Sequence, residues 1–281
     1  MNRTVCVFWL SVVWTVSLMI ASAKPAGATL VTIDADSQTL YSIDRETAVV
    51  TRIGRTETDE QDVFAGLAYD PVGDILYATT TGTDRLYRID YTTGKATLIG
   101  DLGASLMHGL AYDPCTVTLL GTFGQSEGDG LYSIDVSTGA ATLIGHIGFF
   151  DADHRNTVHG LAVDPENRVL YGIVAGPAPD WSALIEIDEE TAKGTLIGLQ
   201  TASFAGLAFD PETNVLYGID NVTSNLYTID IHTGAATLIG ATGLGNPLGL
   251  EDIVIVPEPA TVGLLAIGGL ALRRKVTRRR L

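Results

Sequence analysis

The chain has 281 residues and a formal net charge of −16 at pH 7. Residues 1–28 contain two basic residues, and residues 257–281 contain six basic residues and one acidic residue, so residues 29–256 carry a net charge of −23. A body this anionic repels nucleic acid and anionic lipid head groups, which excludes nucleic-acid binding as a class of function.

The N-terminal residues 1–28 have the three-part form of a secretory signal peptide. A basic start, MNR, precedes the apolar stretch VCVFWLSVVWTVSLMI, and the small residues of ASAKPAGA offer cleavage after Ala23 or after Ala28. This arrangement predicts export and removal by signal peptidase. Cleavage after Ala28 is favoured because Thr29 opens the first strand-like run, and a retained membrane anchor is the alternative.

An internal repeat dominates the body of the chain. GLAYDP at Gly66 returns as GLAYDP at Gly109, GLAVDP at Gly160 and GLAFDP at Gly206, and a broken copy, GLEDIV, begins at Gly249. Successive starts are 43, 51, 46 and 43 residues apart. This spacing is typical of propeller blades.

Within each unit, the short runs LYxID and ATLIG follow one another between Asp-Pro and Thr-Gly turn signals. The pattern predicts four strands per unit and an all-β body. Residues 29–256 begin with runs that match strands two to four of a blade. The copy at Gly249 supplies the missing first strand, so the two ends together form one complete blade. The prediction is a five-bladed β-propeller, with a β-sandwich as the alternative.

The glycine and alanine of each GLA run suit a crowded innermost strand. Aspartates recur before Pro in the GLAxDP runs and at the end of each LYxID run. Because every blade repeats them, we interpret them as turn caps rather than catalysts.

The blade sequence GLAxDP…LYxID…TG…ATLIG resembles bacterial surface β-propellers, which are relatives in style of NHL and YVTN propellers. The resemblance implies a propeller architecture, but it does not indicate which activity the protein has. The sequence has no G-x-S-x-G, H-E-x-x-H or phosphate-loop motif, and only the closing copy departs from GLA, with Glu251 and Asp252. One acidic pair does not supply two separated catalytic carboxylates, so no catalytic residue is assigned and the protein is predicted not to be an enzyme.

The loops before GLA and between strands two and three differ most between the repeats, and they share one end of the predicted propeller. Binding residues commonly lie on such loops. His108 and His159 directly precede GLA, near the axial channel, where they have either a metal or ligand role or a hydrogen-bonded structural role. The run DADH, which contains Asp151, Asp153 and His154, offers hard oxygen ligands for which calcium is the candidate ion.

Trp181 is the only tryptophan that follows the predicted signal peptide. It lies in a Pro-rich loop of the same end, where it either stacks on a sugar ring or anchors its own loop. We predict no resident metal or cofactor, with calcium left as an open alternative.

The C-terminal residues 257–281 combine Pro-Glu-Pro, a 13-residue apolar run from Ala260 to Leu272 and a basic end. As a helix the run spans about 20 Å, less than the roughly 30 Å of a bilayer core. The basic end would stay on the cytoplasmic side, which makes the run a transient membrane stop.

This tail resembles the PEP-CTERM sorting signal. Pro257, Glu258 and Pro259 match its motif, and Arg273 and Arg274 match its basic end. The resemblance implies processing by an exosortase, a type of system that accompanies exopolysaccharide and biofilm production. An ordinary tail anchor is the alternative.

Two functions follow as hypotheses. The first is a non-enzymatic cell-surface or extracellular-matrix protein whose propeller binds an exopolysaccharide or a surface protein. The second is a periplasmic or extracellular hydrolase or lyase with a metal at His108 and His159.

Overall fold

The computed structural model describes residues 28–104, 107–123, 130–148, 157–175, 182–200, 202–244 and 250–257. Five four-stranded antiparallel sheets account for all twenty strands in these ranges. Blade I contains β20 (Leu250–Pro257), β1 (Ala28–Asp34), β2 (Thr39–Ile43) and β3 (Val50–Arg55). Blade II contains β4 (Val63–Asp70), β5 (Ile75–Thr81), β6 (Arg85–Ile89) and β7 (Ala96–Asp101).

The remaining blades follow in chain order. Blade III contains β8 (Met107–Asp113), β9 (Thr118–Phe123), β10 (Gly130–Ile134) and β11 (Ala141–His146). Blade IV contains β12 (Thr157–Asp164), β13 (Val169–Ala175), β14 (Ser182–Ile187) and β15 (Gly194–Gln200). Blade V contains β16 (Phe204–Asp210), β17 (Val215–Asp220), β18 (Asn225–Ile229) and β19 (Ala236–Ala241).

The predicted five-bladed propeller is confirmed, including the closure of the ring within blade I. The last strand, β20, pairs antiparallel with the first, β1, and the register runs from Ala28 opposite Pro257 to Asp34 opposite Leu250. The strands therefore extend one residue beyond the predicted 29–256 at each end. This pairing covers the inner edge of β1, which would otherwise be open.

The innermost strands are as crowded as the GLA runs predict. A Cβ placed on Gly66 would lie 2.8 Å from the Cβ of Leu110, and one on Gly206 would lie 2.6 Å from the Cα of Asp252. These distances are too short for a real side chain, so glycine lets the inner strands of neighbouring blades approach each other.

Five separate hydrophobic clusters hold the blades together, one at each interface. Between blades I and II, for example, Ile33 and Leu40 pack with Phe64 and Leu76, and all four are fully buried. Burial of such aliphatic side chains stabilises the fold by about 1.5–3 kcal/mol each.

The two ends of the propeller differ. At the end we call the turn end, inner strands finish and the connections are short turns capped by aspartate, as predicted. Asp70 accepts hydrogen bonds from the amides of Val72 and Gly73, and Asp90 accepts one from the amide of Thr92. Inner strands begin at the opposite end, the loop end. Within the described ranges, no helix is long and apolar enough to cross a bilayer.

Candidate functional site

Two histidines from neighbouring inner strands meet at the loop end. His108 lies on β8 and His159 on β12, each directly before the inner-strand glycine. Their rings stack with centroids 4.7 Å apart and an interplanar angle of 23°. The sequence predicted both residues near the channel, and the structure brings them into direct contact.

The histidine pair is neutral at neutral pH. Burial lowers the pKa of His108, and burial together with the nearby His108 lowers the pKa of His159 to about 3. Both Nδ1 atoms are buried, and neither has a hydrogen-bond partner among the described residues. As whole residues, His108 and His159 are half-buried. A neutral imidazole offers one donor and one acceptor, so the pair can exchange hydrogen bonds with hydroxyl groups.

The other three blades do not repeat this histidine. The position before the inner-strand glycine is Ala65 in blade II and Ala205 in blade V, and blade I places Glu251 there. The described residues contain no group of three or more His, Cys, Asp or Glu side chains placed to hold a metal ion. The stacked pair alone therefore does not form a complete metal centre in this part of the chain.

Several predicted site residues lie outside the described residues. These are the proposed ligand residues Asp151, Asp153, His154 and Trp181, and the sorting-signal residues Glu258, Pro259, Arg273 and Arg274. Pro257 is described, and it ends β20. The roles proposed for these residues stay predictions.

One acidic side chain of the loop end has a structural role. Asp62, in the loop before β4, is buried and accepts hydrogen bonds from the hydroxyls of Thr83 and Tyr87. The amide side chain of Gln38 donates to the backbone carbonyl of Asp62 at 2.9 Å. These bonds fix the described loop between blades I and II against its neighbours.

An axial cavity of about 280 Å³ opens at the turn end, for which no site was predicted from the sequence. Its walls come from the inner strands of all five blades, and its rim carries one proline from each: Pro71, Pro114, Pro165, Pro211 and Pro257. The walls below are mostly apolar, including Tyr69, Tyr112 and Phe209. Apolar side chains that recur at the fourth position of GLAxDP were the sequence signal for this cavity.

Asp252 is the second feature that the sequence did not explain. Ile253 pairs with Thr32 as Leu207 pairs with Gly218, so Asp252 stands where blade V has Gly206. Its carboxylate is buried and accepts a hydrogen bond from the amide of Leu67, at 2.9 Å, in the next blade. Asp252 therefore links the closing blade to blade II.

The comparisons with known proteins identify the tail and the fold. Residues 256–280 match the family described as the PEP-CTERM protein-sorting motif. The chain thus joins a five-bladed β-propeller body, which resembles propellers of the NHL and YVTN type, to a PEP-CTERM signal. The motif is that of an exported protein processed by an exosortase-like membrane enzyme. No curated protein matches the chain.

Solved structures share the fold at low sequence identity. A chain of a nidogen/laminin complex has a TM-score of 0.57 at 15% identity, with 83% of this chain and 100% of that chain covered. The PQQ-bound aldose sugar dehydrogenase of Streptomyces coelicolor has a TM-score of 0.51 at 18% identity, with 82% of each chain covered. A Bacteroides thetaiotaomicron protein of unknown function has a TM-score of 0.53 at 15% identity, with coverages of 81% and 70%. They include an enzyme and a protein in a binding complex, so they show the fold alone.

Proposed function

We propose that this is a non-enzymatic cell-surface or extracellular-matrix protein whose propeller binds a glycan or a protein partner at the loop end. The observation that carries the proposal is the asymmetry of the two ends. The turn end repeats the same capped turns, whereas the loop end carries unequal connections and the stacked histidine pair of two blades. A single binding site requires such a departure from the repeat.

The chemistry of the loop end suits a hydroxyl-rich ligand. The imidazoles of His108 and His159 are neutral and stacked, and we propose that this half-buried pair offers a flat aromatic surface and a hydrogen-bonding ring nitrogen to the ligand. The chain segment that contains Trp181 joins β13 to β14 at the same end, and we propose that its indole stacks on a sugar ring.

The negative charge of the body limits the kinds of partner that the propeller can bind. Residues 29–256 carry a net charge of −23, which repels anionic polymers over the range of a Debye length. We therefore expect a neutral exopolysaccharide or a basic protein surface rather than an acidic glycan.

Fluorescence of the single mature tryptophan tests the proposal. The body from Ala28 to Pro257 is titrated with neutral and with acidic exopolysaccharide while the emission of Trp181 is followed. A saturable emission change with the neutral polymer is the expected result. A matched variant, His108→Ala with His159→Ala, should weaken binding, whereas exposed His232→Ala at the turn end should not. A folded body that responds to neither polymer argues for a protein partner.

The second candidate function is a hydrolase or lyase with a metal at the histidine pair. The two buried Nδ1 atoms without described partners favour it, because neutral imidazole is a common metal ligand. This hypothesis needs further ligands from outside the described residues. Metal analysis of the purified chain, together with thermal melts in chelator, tests it: no bound ion and an unchanged melt would reject it.

A further inference from the structure

The chain leaves the propeller at the rim of the axial cavity. The last strand ends at Pro257, which lines that cavity and pairs with Ala28 at the start of the first strand. Residues 1–27 therefore join the body beside the point where residues 258–281 leave it. Both points lie at the turn end. Both predicted membrane-directed segments join the body at this end, and the loop end lies a strand length away, about 20 Å for six residues.

The connection from the rim to the apolar run is short. Only Glu258 and Pro259 separate Pro257 from Ala260, the first residue of that run. Three Cα steps span at most about 11 Å. The polar layer of a bilayer is roughly 5–8 Å deep on each side. When Ala260 lies at the edge of the hydrocarbon, Pro257 must lie at the head groups or just above them.

The turn end has the surface chemistry for this position. Exposed valines project from its short turns, with Val72 at 72%, Val117 at 71% and Val49 at 62% of full exposure. Val72 directly follows the rim proline Pro71, and Val117 lies in the turn that follows the rim proline Pro114, whereas Val49 lies in an outer turn of blade I. Exposed apolar residues beside an apolar opening indicate an interaction surface.

We propose that the turn end docks on a zwitterionic phospholipid surface while the apolar run is in the bilayer, and that the loop end then points away from the membrane. This inference rests on the proposed function, since it requires the sorting tail to insert. It explains how a membrane-tethered propeller keeps its binding end accessible before processing.

Carboxylates at the turn end determine how deeply that end enters the membrane and which lipids it prefers. Asp90, Asp135, Asp188 and Asp230 are exposed there, and hydrogen bonds from neighbouring turn residues lower the pKa of each. They remain ionised at neutral pH, so the turn end rests on the head groups and does not enter the hydrocarbon. Anionic lipid should push it away, and salt should reduce that repulsion.

Site-specific fluorophores in nanodiscs test the orientation. The chain from Ala28 to Leu281 is prepared with Cys115→Ser and one new cysteine. Val72→Cys marks the turn end, and Asp101→Cys, at the outer strand's loop-end terminus with its side chain 82% exposed, is the matched control. Each labelled chain is inserted into phosphatidylcholine nanodiscs that contain a head-group nitroxide quencher, which acts only near contact.

The expected result is several-fold stronger quenching of the Val72→Cys label than of the Asp101→Cys label. Phosphatidylglycerol should reduce that quenching at low salt, and a flexible spacer inserted between Pro259 and Ala260 should abolish the difference. Equal quenching, or stronger quenching at Asp101→Cys, would overturn the inference. Failure of the chain to co-elute with nanodiscs would overturn the membrane stage of the proposed function as well, whereas co-elution with the wrong orientation overturns this inference alone.

Discussion

The carboxylate of Asp252 accepts a hydrogen bond from the backbone amide of Leu67 at 2.9 Å, and this contact joins residues 185 positions apart in the sequence. The carboxylate also accepts from the amide of Ile253, and both acceptor oxygens are buried. The other four blades have glycine at this position, so the contact is specific to the blade that closes the ring.

Replacement of Asp252 by Ala should destabilise the propeller by about 1–3 kcal/mol, because the amide of Leu67 loses its acceptor in a buried site. Urea unfolding measures the change in midpoint. Asp252→Asn keeps one acceptor oxygen and should cost less. The control, Asp101→Ala, removes an exposed carboxylate and should change stability by under about 0.5 kcal/mol. An Asp252→Ala variant as stable as that control would contradict the assignment.

Deletion of residues 250–257 should abolish cooperative unfolding. Blade I would lose its inner strand, β1 would present an open edge, and two inter-blade clusters would lose Ile253 and Val256. Thermal melts followed by circular dichroism test this expectation. Deletion of residues 258–281 is the control, because it leaves every described strand in place. A cooperative melt near the original temperature after removal of β20 would refute the closure.

The stability of the body should fall as the pH is lowered from about 6.5 toward 3, because His159 is neutral in the folded chain. Burial lowers the pKa of His159 to about 3, below the ordinary value of 6.5, so the unfolded chain binds a proton that the folded chain does not. Stability contributed by the neutral ring is present above pH 6.5 and is lost toward pH 3, at up to about 1.4 kcal/mol per pH unit. His159→Gln should flatten this part of the stability profile.

Denaturant unfolding at pH 7.5 and pH 5.5 measures that slope. The control His232→Gln changes an exposed histidine and should leave the slope as it is. A His159→Gln profile parallel to that of the unchanged chain would show that the folded ring binds its proton over the same pH range as the unfolded ring, and would contradict the lowered pKa of His159.

Glu189 should make the stability of the body fall as the pH rises, over a pH range that overlaps the range of the histidine effect. Burial, with the nearby Asp113 carboxylate, raises the pKa of Glu189 to about 7 from the ordinary 4.5. The folded chain holds a proton that the unfolded chain has lost, so stability falls as pH rises from about 4.5 to 7. Glu189→Gln should therefore stabilise the body at pH 8 and have little effect at pH 4. Equal effects at both pH values in urea unfolding would contradict the shift.

The blade number, the closure and the turn caps followed from the sequence because each depends on local patterns that repeat. The crowding of Gly66 and its counterparts and the capping by Asp70 and Asp90 needed only strand alternation and turn chemistry. The contact between His108 and His159 was not predictable to the same degree. Each histidine could be placed near the axis, but the stacking depends on how closely blades III and IV approach.

The axial cavity and the role of Asp252 were missed for a related reason. Tyr69, Tyr112 and Phe209 look like ordinary core positions in a strand, and only the ring arrangement gathers them around one opening. Asp252 was interpreted as part of an insufficient catalytic pair. Its hydrogen bond to Leu67 crosses between blades, which no local pattern predicts.

In the proposed function, the loop end binds the partner that retains the exported protein at the cell surface or in the matrix. The most direct measurement is the fraction of processed protein that stays with cells and matrix when residues 149–156 and 176–181 are replaced by Gly-Ser segments of equal length. Export and tail processing of the variant should match those of the unchanged protein, and most of the variant should be released into the medium. Unchanged retention of a variant with an unchanged melting temperature would contradict the claim.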